Sequence, residues 1–263
     1  MASRPLALIT GASAGIGATF ARTLAARGYD EILVARRRDR LEALAAELAQ
    51  AHGVRVDVMA ADLTDTGQLR RVDARVRTAP IPDLVINNAG FGISGRFWET
   101  AADAQDRLHQ LHIVATMRLT HAALAVMVPR GGGAVINVSS VAAFFPSPGS
   151  VTYAASKCWM NRFTEGLHLE LGRMRSPVRI QALCPGFTQT EFHEAAGIDS
   201  ATVPASLWTS SEDVVRASLE GLERNRLFVI PGWRYKLMVR AASLLPGSLI
   251  RAAAISVVRR RKL

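Results

Sequence analysis

Tyr153 and Lys157 stand four residues apart in the run Tyr153-Ala154-Ala155-Ser156-Lys157. On a helix that spacing puts both side chains on one face, one turn from each other. An ammonium held beside a phenol favours the phenolate and draws a reference pKa of about 10 toward working pH. A phenol tuned in this way can hand a proton to a carbonyl oxygen while hydride reaches the carbon. Chance explains the pair poorly. The chain has 29 arginines but three lysines and three tyrosines, and Lys157 is the only lysine in the first 235 residues. An accidental Tyr-x3-Lys is expected in about 3 % of chains so composed. Lysine offers what arginine does not, a compact ammonium whose rotatable donors serve ribose hydroxyls and a phenol together.

A second candidate lies near the start, in Thr10-Gly11-Ala12-Ser13-Ala14-Gly15-Ile16-Gly17. It follows an apolar run and precedes a helical pattern. Glycines there let the backbone turn sharply and let a pyrophosphate approach the free amides of a helix N-terminus. The spacing is Gly-x3-Gly-x-Gly, not the general Gly-x-Gly-x-x-Gly fingerprint. Taken alone, it reads equally well as a tight turn.

The elements that must carry these residues alternate along the chain. Apolar runs at 6–10, 31–35, 55–59, 84–87, 134–139 and 179–183 read as strands buried on both faces. Between them Leu41, Leu44, Ala45 and Leu48, then Leu108, Leu111, Val114, Ala115, Leu119 and Ala122, recur at helical spacing. The pattern predicts a doubly wound Rossmann-type parallel α/β sheet, in which ligands bind beyond the carboxyl ends of the strands. At 263 residues, with 49% hydrophobic and 21% charged, the chain supports one large core rather than a disordered protein. One domain over 1–230 and a basic amphipathic extension over 231–263 is the expected organisation. The two cysteines, Cys158 and Cys184, have no paired spacing, which fits a reducing cytoplasm and inert core thiols. The apolar run before the first glycines is too short for a signal peptide. No cluster of metal-ligand spacing stands out, and no metal is expected.

The ordered set of motifs resembles the short-chain dehydrogenase/reductase family, of the single-domain Tyr-x3-Lys type. The resemblance spans residue 5 to about 230. It rests on the glycine-rich turn, Asp62 after the third strand and Asn87-Asn88-Ala89-Gly90 after the fourth. Ser140 after the fifth strand, Tyr153 through Lys157, and Pro185-Gly186-Phe187-Thr188-Gln189-Thr190 after the sixth complete it. The resemblance implies that Ser140 orients the substrate oxygen, Tyr153 is the general acid, and Lys157 holds the nicotinamide ribose and lowers the pKa of Tyr153. It also implies a cofactor bordered by Gly11, Ser13, Gly15, Ile16 and Gly17, by Asp62 and Leu63 at the adenine, and by Asn88, Ala89 and Gly90. Pro185, Gly186, Thr188 and Thr190 would reach the carboxamide and phosphates. A homodimer or homotetramer built on the two long helices flanking Ser140 follows from the same resemblance. One position departs from the family. Where an asparagine usually supports a water relay to the lysine, this chain has His112. The expectation is that a ring nitrogen takes over the relay and adds a group titrating near neutral pH.

Cofactor choice can be read from the second strand. NAD-users place an acid at its end to bind the ribose hydroxyls. Here it ends Val34-Ala35-Arg36-Arg37-Arg38, with Glu31 at its start and Asp39 in the next helix. Arginine suits a 2′-phosphate, so NADP(H) is expected, with Arg36 as first contact and Arg37 beside it. Phe91, Ile93, Phe144, Phe145 and Phe187, with Phe192 and Trp208 from the 191–208 stretch, predict an apolar pocket for a small hydrophobic ketone or aldehyde. The net charge of +10 is concentrated in the extension. Residues 222–263 hold ten Lys or Arg and one acid, +9, which leaves +1 for residues 1–221. The extension reads as two amphipathic helices broken at Pro246-Gly247 and ending Arg259-Arg260-Arg261-Lys262. It fits a peripheral contact with an anionic membrane, a flap over the pocket, or a subunit contact. Arg240, Pro246 and Arg251 interrupt it too often for a membrane span. The body lacks basic patches with interleaved aromatics, so no nucleic acid is expected. The rival to a reductase is a non-catalytic NADP(H)-binding sensor or scaffold of the same fold, which would need the loop and no proton donor.

Overall fold

The structure, a computed structural model, describes residues 4–192 and 203–260. Within the expected pocket wall, residues 193–202 lie outside the described residues, as do Arg261 and Lys262 of the basic end.

Apolar β-branched runs form the sheet. Strands β1 (Leu6–Thr10), β2 (Asp30–Ala35), β3 (Val56–Ala60), β4 (Leu84–Asn87), β5 (Ala134–Val138), β6 (Arg179–Leu183) and β7 (Phe228–Val229) pair in parallel, in the order β3-β2-β1-β4-β5-β6-β7. The order reverses between β1 and β4, where a doubly wound sheet opens a crevice at its carboxyl edge. Helices α1 (Gly15–Ala26), α2 (Arg38–His52) and α7 (Ser211–Glu223) cover one face with Phe20, Leu24, Leu41, Leu48, Val214 and Leu219. Helices α3 (Thr66–Arg77), α5 (Thr116–Arg130) and α6 (Val151–Arg173) cover the other with Leu69, Val72, Leu119, Met127 and Leu171. Burial on both faces is why the inner strands carry no alternation of polar and apolar residues, whereas Asp57 of the edge strand β3 is exposed.

Helix α4 (Ala102–His109) runs through a π-helical segment, Gln110–Ala115, into α5. The Ala102–Arg130 rod is long and apolar enough to cross a membrane by length and composition. Its Ala115, Leu119, Ala122 and Met127 are instead spent on the core. The six strands read from sequence stand within one residue of their expected bounds. β7 has only two residues, too few to show a pattern. The extension forms α8 (Trp233–Leu244) and α9 (Gly247–Arg260), divided where Pro246-Gly247 predicted.

Candidate active site

The glycine-rich turn and the loop that follows β4 are locked together by Thr10. Its hydroxyl donates to Ile86 O at 3.2 Å and accepts from the amides of Asn88 at 2.9 Å and Ala89 at 3.0 Å. The Asn88 side chain returns the contact, donating to Thr10 O at 2.9 Å. Close approach decides the residue types here. A Cβ on Gly11, at φ +66°, would lie 2.7 Å from Asn88 Nδ2, and one on Gly17 would meet the Gly11 carbonyl. Gly15 faces Thr190, whose methyl would be 2.8 Å from an added Cβ. Helix α1 starts at this turn with no side-chain cap, so its first amides are left for another acceptor. Free amides, a positive helix end and no side chains in the way make a cradle that fits a phosphate.

At the rim of the cradle stand the arginines after β2. Arg36 is exposed. Arg37 reaches the turn itself, its Nη2 donating to Ser13 Oγ at 3.1 Å, and its Nη1 pairs with Glu191 at 2.9 Å. Arg40 holds the other Glu191 oxygen at 2.6 Å, and the two guanidinia keep that carboxyl below the usual range. Asp62 is half-buried and closes a local turn, accepting from Thr64 N at 2.9 Å and Thr64 Oγ1 at 2.8 Å, and Leu63 is buried.

The ionisable pair sits across the crevice on the first turns of α6. Lys157 is buried and its Nζ donates to Val138 O at 2.8 Å, 5.7 Å from the centre of the Tyr153 ring. Burial pulls the ammonium down to about 7. Tyr153 is partly open at the rim, yet the protein around it pushes the phenol up to about 12, and hydrogen bonding to Ser140 offsets only part. The expectation that Lys157 draws this phenol toward neutrality is therefore corrected for the protein alone. Desolvation raises the cost of the phenolate and also weakens the charge of its neighbour. Ser140 follows β5, accepts from Ala142 N at 3.1 Å and donates to Pro185 O at 3.5 Å, which ties it to the turn after β6. Thr188 on that turn is buried and donates to Gly186 O at 3.1 Å.

His112 occupies the π-helical segment and is fully buried. Its Nε2 accepts from Phe91 N at 3.2 Å, which leaves the proton on Nδ1, 2.9 Å from Ser156 Oγ. Ser156 in turn donates to Tyr153 O at 2.7 Å. Burial first, then the Lys157 charge, then His109, holds the imidazole well below its ordinary pKa. The expected group titrating near neutral pH is thus corrected: both ring nitrogens are engaged, neither by Lys157, and charging the ring would break its bond to Phe91. The predicted pocket aromatics divide. Tyr153 packs against His112 at 5.7 Å and Phe192 at 5.8 Å, and Phe187 against Trp208 at 5.7 Å, whereas Phe144 leans on Phe228 of β7. Cys184 is buried as expected, with its thiol pushed up to about 12 by burial, but Cys158 is exposed. It falls on the outer face of α6, one residue past the inward Lys157. Among the described residues no three His, Cys, Asp or Glu come together as a metal site.

Sequence reasoning missed Ser156, Glu191 and Tyr235. Ser156 lies within a motif already singled out and Glu191 directly after one, but both do their work by hydrogen bonds to distant segments. Tyr235 is buried, and its ring lies where a Cβ on Gly186 would be. Its hydroxyl accepts from Phe187 N at 3.0 Å and donates to Leu207 O at 2.7 Å. Its being one of three tyrosines was the available signal.

A cradle for phosphate, a buried lysine and a phenol with a serine beside it are thus gathered at the carboxyl edge of a doubly wound sheet. A family model described as short chain dehydrogenase matches residues 5–200. The chain belongs to this family. A short-chain dehydrogenase from Sphingobium yanoikuyae in complex with NADPH is 39% identical, with TM-score 0.83, covering 91% of this chain and 93% of that one. The bulky-bulky ketone specific alcohol dehydrogenase from Comamonas testosteroni is 35% identical, with TM-score 0.80, over 92% of this chain and 93% of its own. An uncharacterized oxidoreductase of Mycobacterium tuberculosis is 32% identical over 254 residues, 95% of this chain and 97% of that protein. As a short-chain dehydrogenase the chain is an oxidoreductase that uses a nicotinamide cofactor.

Proposed function

We propose that the protein is an NADPH-dependent carbonyl reductase that turns a hydrophobic ketone or aldehyde into an alcohol. The carrying observation is the Tyr153 phenol held beside the Ser140 hydroxyl, with the Lys157 ammonium 5.7 Å from its ring. Reduction needs a proton at the carbonyl oxygen, and a phenol pushed up to about 12 keeps its proton throughout the physiological range. Ser140, fixed by the Ala142 amide, orients the same oxygen by hydrogen bonding. Bound at the cradle, a reduced nicotinamide supplies the hydride. Lys157, freed from Val138 O, binds ribose hydroxyls, and its charge then eases proton loss from Tyr153.

Arg36 and Arg37 take the 2′-phosphate, with Ser13 under the same guanidinium and no acid at the end of β2. Gly11, Gly15, Ile16 and Gly17 receive the pyrophosphate. Asp62 and Leu63 border the adenine, and Asn88, Ala89 and Gly90 the ribose. Pro185, Gly186, Thr188 and Thr190 meet the carboxamide side. Phe91, Phe187, Phe192 and Trp208 give the substrate wall its apolar character. The NADPH complex of the Sphingobium relative and the bulky-ketone substrate of the Comamonas relative support these choices. Exposed Met117, Val151 and Leu169 on α5 and α6 suit assembly into a homodimer or homotetramer, and the reduced thiols suit a cytoplasmic setting. The sensor reading drew on His112, which stands here as a ring bonded at both nitrogens, and the presence of the Tyr153 phenol and Ser140 beside it supports the reductase.

The test is oxidation of NADPH and of NADH with a panel of bulky hydrophobic ketones, for wild type, Tyr153→Phe and Arg36→Asp/Arg37→Asp. Turnover should fall about 10²–10⁴-fold without the phenol, and the double arginine variant should lose its preference for NADPH. Full turnover by Tyr153→Phe would remove the assigned donor. NADPH binding without turnover of any ketone would favour the sensor.

A further inference from the structure

We infer that the carboxyl-terminal arm, α8 and α9, docks the protein on an anionic lipid surface. Residues 224–263 contain ten Lys or Arg and no Asp or Glu, so this segment is +10 and residues 1–223 balance to zero. The same segment carries the densest exposed apolar surface among the described residues. Trp233, Leu237, Leu244, Leu245, Leu249 and Ile255 are each at least half exposed, Leu244 at 86%. Exposed apolar side chains in such number mark a contact surface. Interleaving them with Arg234, Lys236, Arg240 and Arg251 specifies what the contact is. Apolar groups that enter the acyl boundary while cations meet lipid phosphates are how an interfacial helix binds.

A second copy of the arm is the wrong partner, since residues 233–263 hold eight Lys or Arg and no acid, and two such +8 segments repel. The protein's own pocket is wrong too, because among the described residues of α8 and α9 only Tyr235 is buried, at the root. That root fixes the orientation. Tyr235 is bonded to Phe187 and Leu207, and α8 packs on the Val141–Phe144 turn that follows Ser140. A docked arm therefore brings the mouth of the site to the lipid plane, where a lipophilic carbonyl compound partitions. Docking stands apart from the reductase reading; only this consequence for the substrate rests on it.

The experiment is co-sedimentation of the full chain with vesicles of phosphatidylcholine alone and of phosphatidylcholine containing phosphatidylserine, at low and high salt. Leu244→Asp/Leu249→Asp, at two exposed positions that the fold does not use, is run beside wild type, with unfolding temperature as the check on integrity. Partitioning should be at least about tenfold stronger on the anionic vesicles, should fall with salt, and should be lost in the variant at unchanged unfolding temperature. No sedimentation with anionic vesicles overturns the proposal, as does equal sedimentation of the variant. A dimer that the variant dissolves, without vesicle binding, overturns it in favour of a second copy. None of these outcomes depends on turnover.

Discussion

His112 satisfies both ring nitrogens within the protein, one from Phe91 N and one at Ser156, and Ser156 passes the contact to the Tyr153 carbonyl. It is therefore a positioning residue, one hydrogen bond removed from the backbone that aims the phenol. An imidazole held well below its ordinary pKa carries no proton to lose as pH rises through neutrality. His112→Asn should leave the shape of the pH–rate profile unchanged. It should lower kcat by up to about tenfold, the equivalent of one hydrogen bond of about 1.4 kcal/mol. The measurement is kcat against pH from 5 to 9 for both proteins. Loss of a limb near pH 6.5 in the variant would show that the ring titrates in the working enzyme. The sequence located His112 and gave it the wrong protonation, because burial and the Phe91 contact come from segments that no local pattern joins. Tyr153 and Lys157 were legible for the opposite reason. Their spacing is local to one helix, and lysine is rare in this chain.

Glu31 shows what an element can carry at a cost. It lies in β2 between Ala7 of β1 and Val56 of β3 and is fully buried; neither carboxyl oxygen makes a hydrogen bond of good geometry. Burial pushes it up to about 9, and the Ala25 backbone offsets this only in part. A carboxyl whose folded pKa is raised contributes its stability below the unfolded value, near 4.5, and loses it as pH rises toward 9. Each unit crossed costs about 1.4 kcal/mol, so the fold forfeits on the order of 3 kcal/mol near pH 7. Glu31→Gln should match wild type near pH 4.5 and exceed it increasingly at pH 6 and 8 in thermal unfolding. Parallel loss of stability in both proteins would place the carboxyl in a solvated or paired setting. Strand β2 was still read correctly, since the apolar run Ile32-Leu33-Val34 outweighs one acid. Polar residues in other strands find partners on neighbouring elements: Asn87 Nδ2 donates to Asn137 Oδ1 of β5 at 2.9 Å, although Asn87 Oδ1 is left without one, and Gln181 Nε2 donates to Ser218 O of α7 at 3.1 Å. Those pairings, like the π-helical turn around His112, depend on which elements meet and leave no mark in the sequence period.

The molecule as a whole is an α/β body, whose first 223 residues balance to zero, with a cationic arm, and Tyr235 sits at the root of that arm. The expected boundary at 230 falls before it. Tyr235 fills the space against Gly186 and bonds to Phe187 and Leu207, whereas from Lys236 to Leu249 no residue is buried. A chain ending at 231 removes that plug. Truncating a buried aromatic costs about 3–5 kcal/mol, which in a domain of this size lowers Tm by roughly 6–15 °C. A chain ending at 240 keeps the ring and both hydrogen bonds, so it should melt with the full protein while losing most of the exposed apolar surface. Tyr235→Ala in the full chain should reproduce the short truncation. Tyr235→Phe, which keeps the packing and loses only the hydroxyl bonds, should cost about 1–3 kcal/mol. Thermal unfolding of the four proteins separates the contributions. If the chain ending at 240 melts as low as the one ending at 231, the exposed helices themselves stabilise the body. If Tyr235→Ala alone melts with wild type, the plug is dispensable and the folded domain ends at 230.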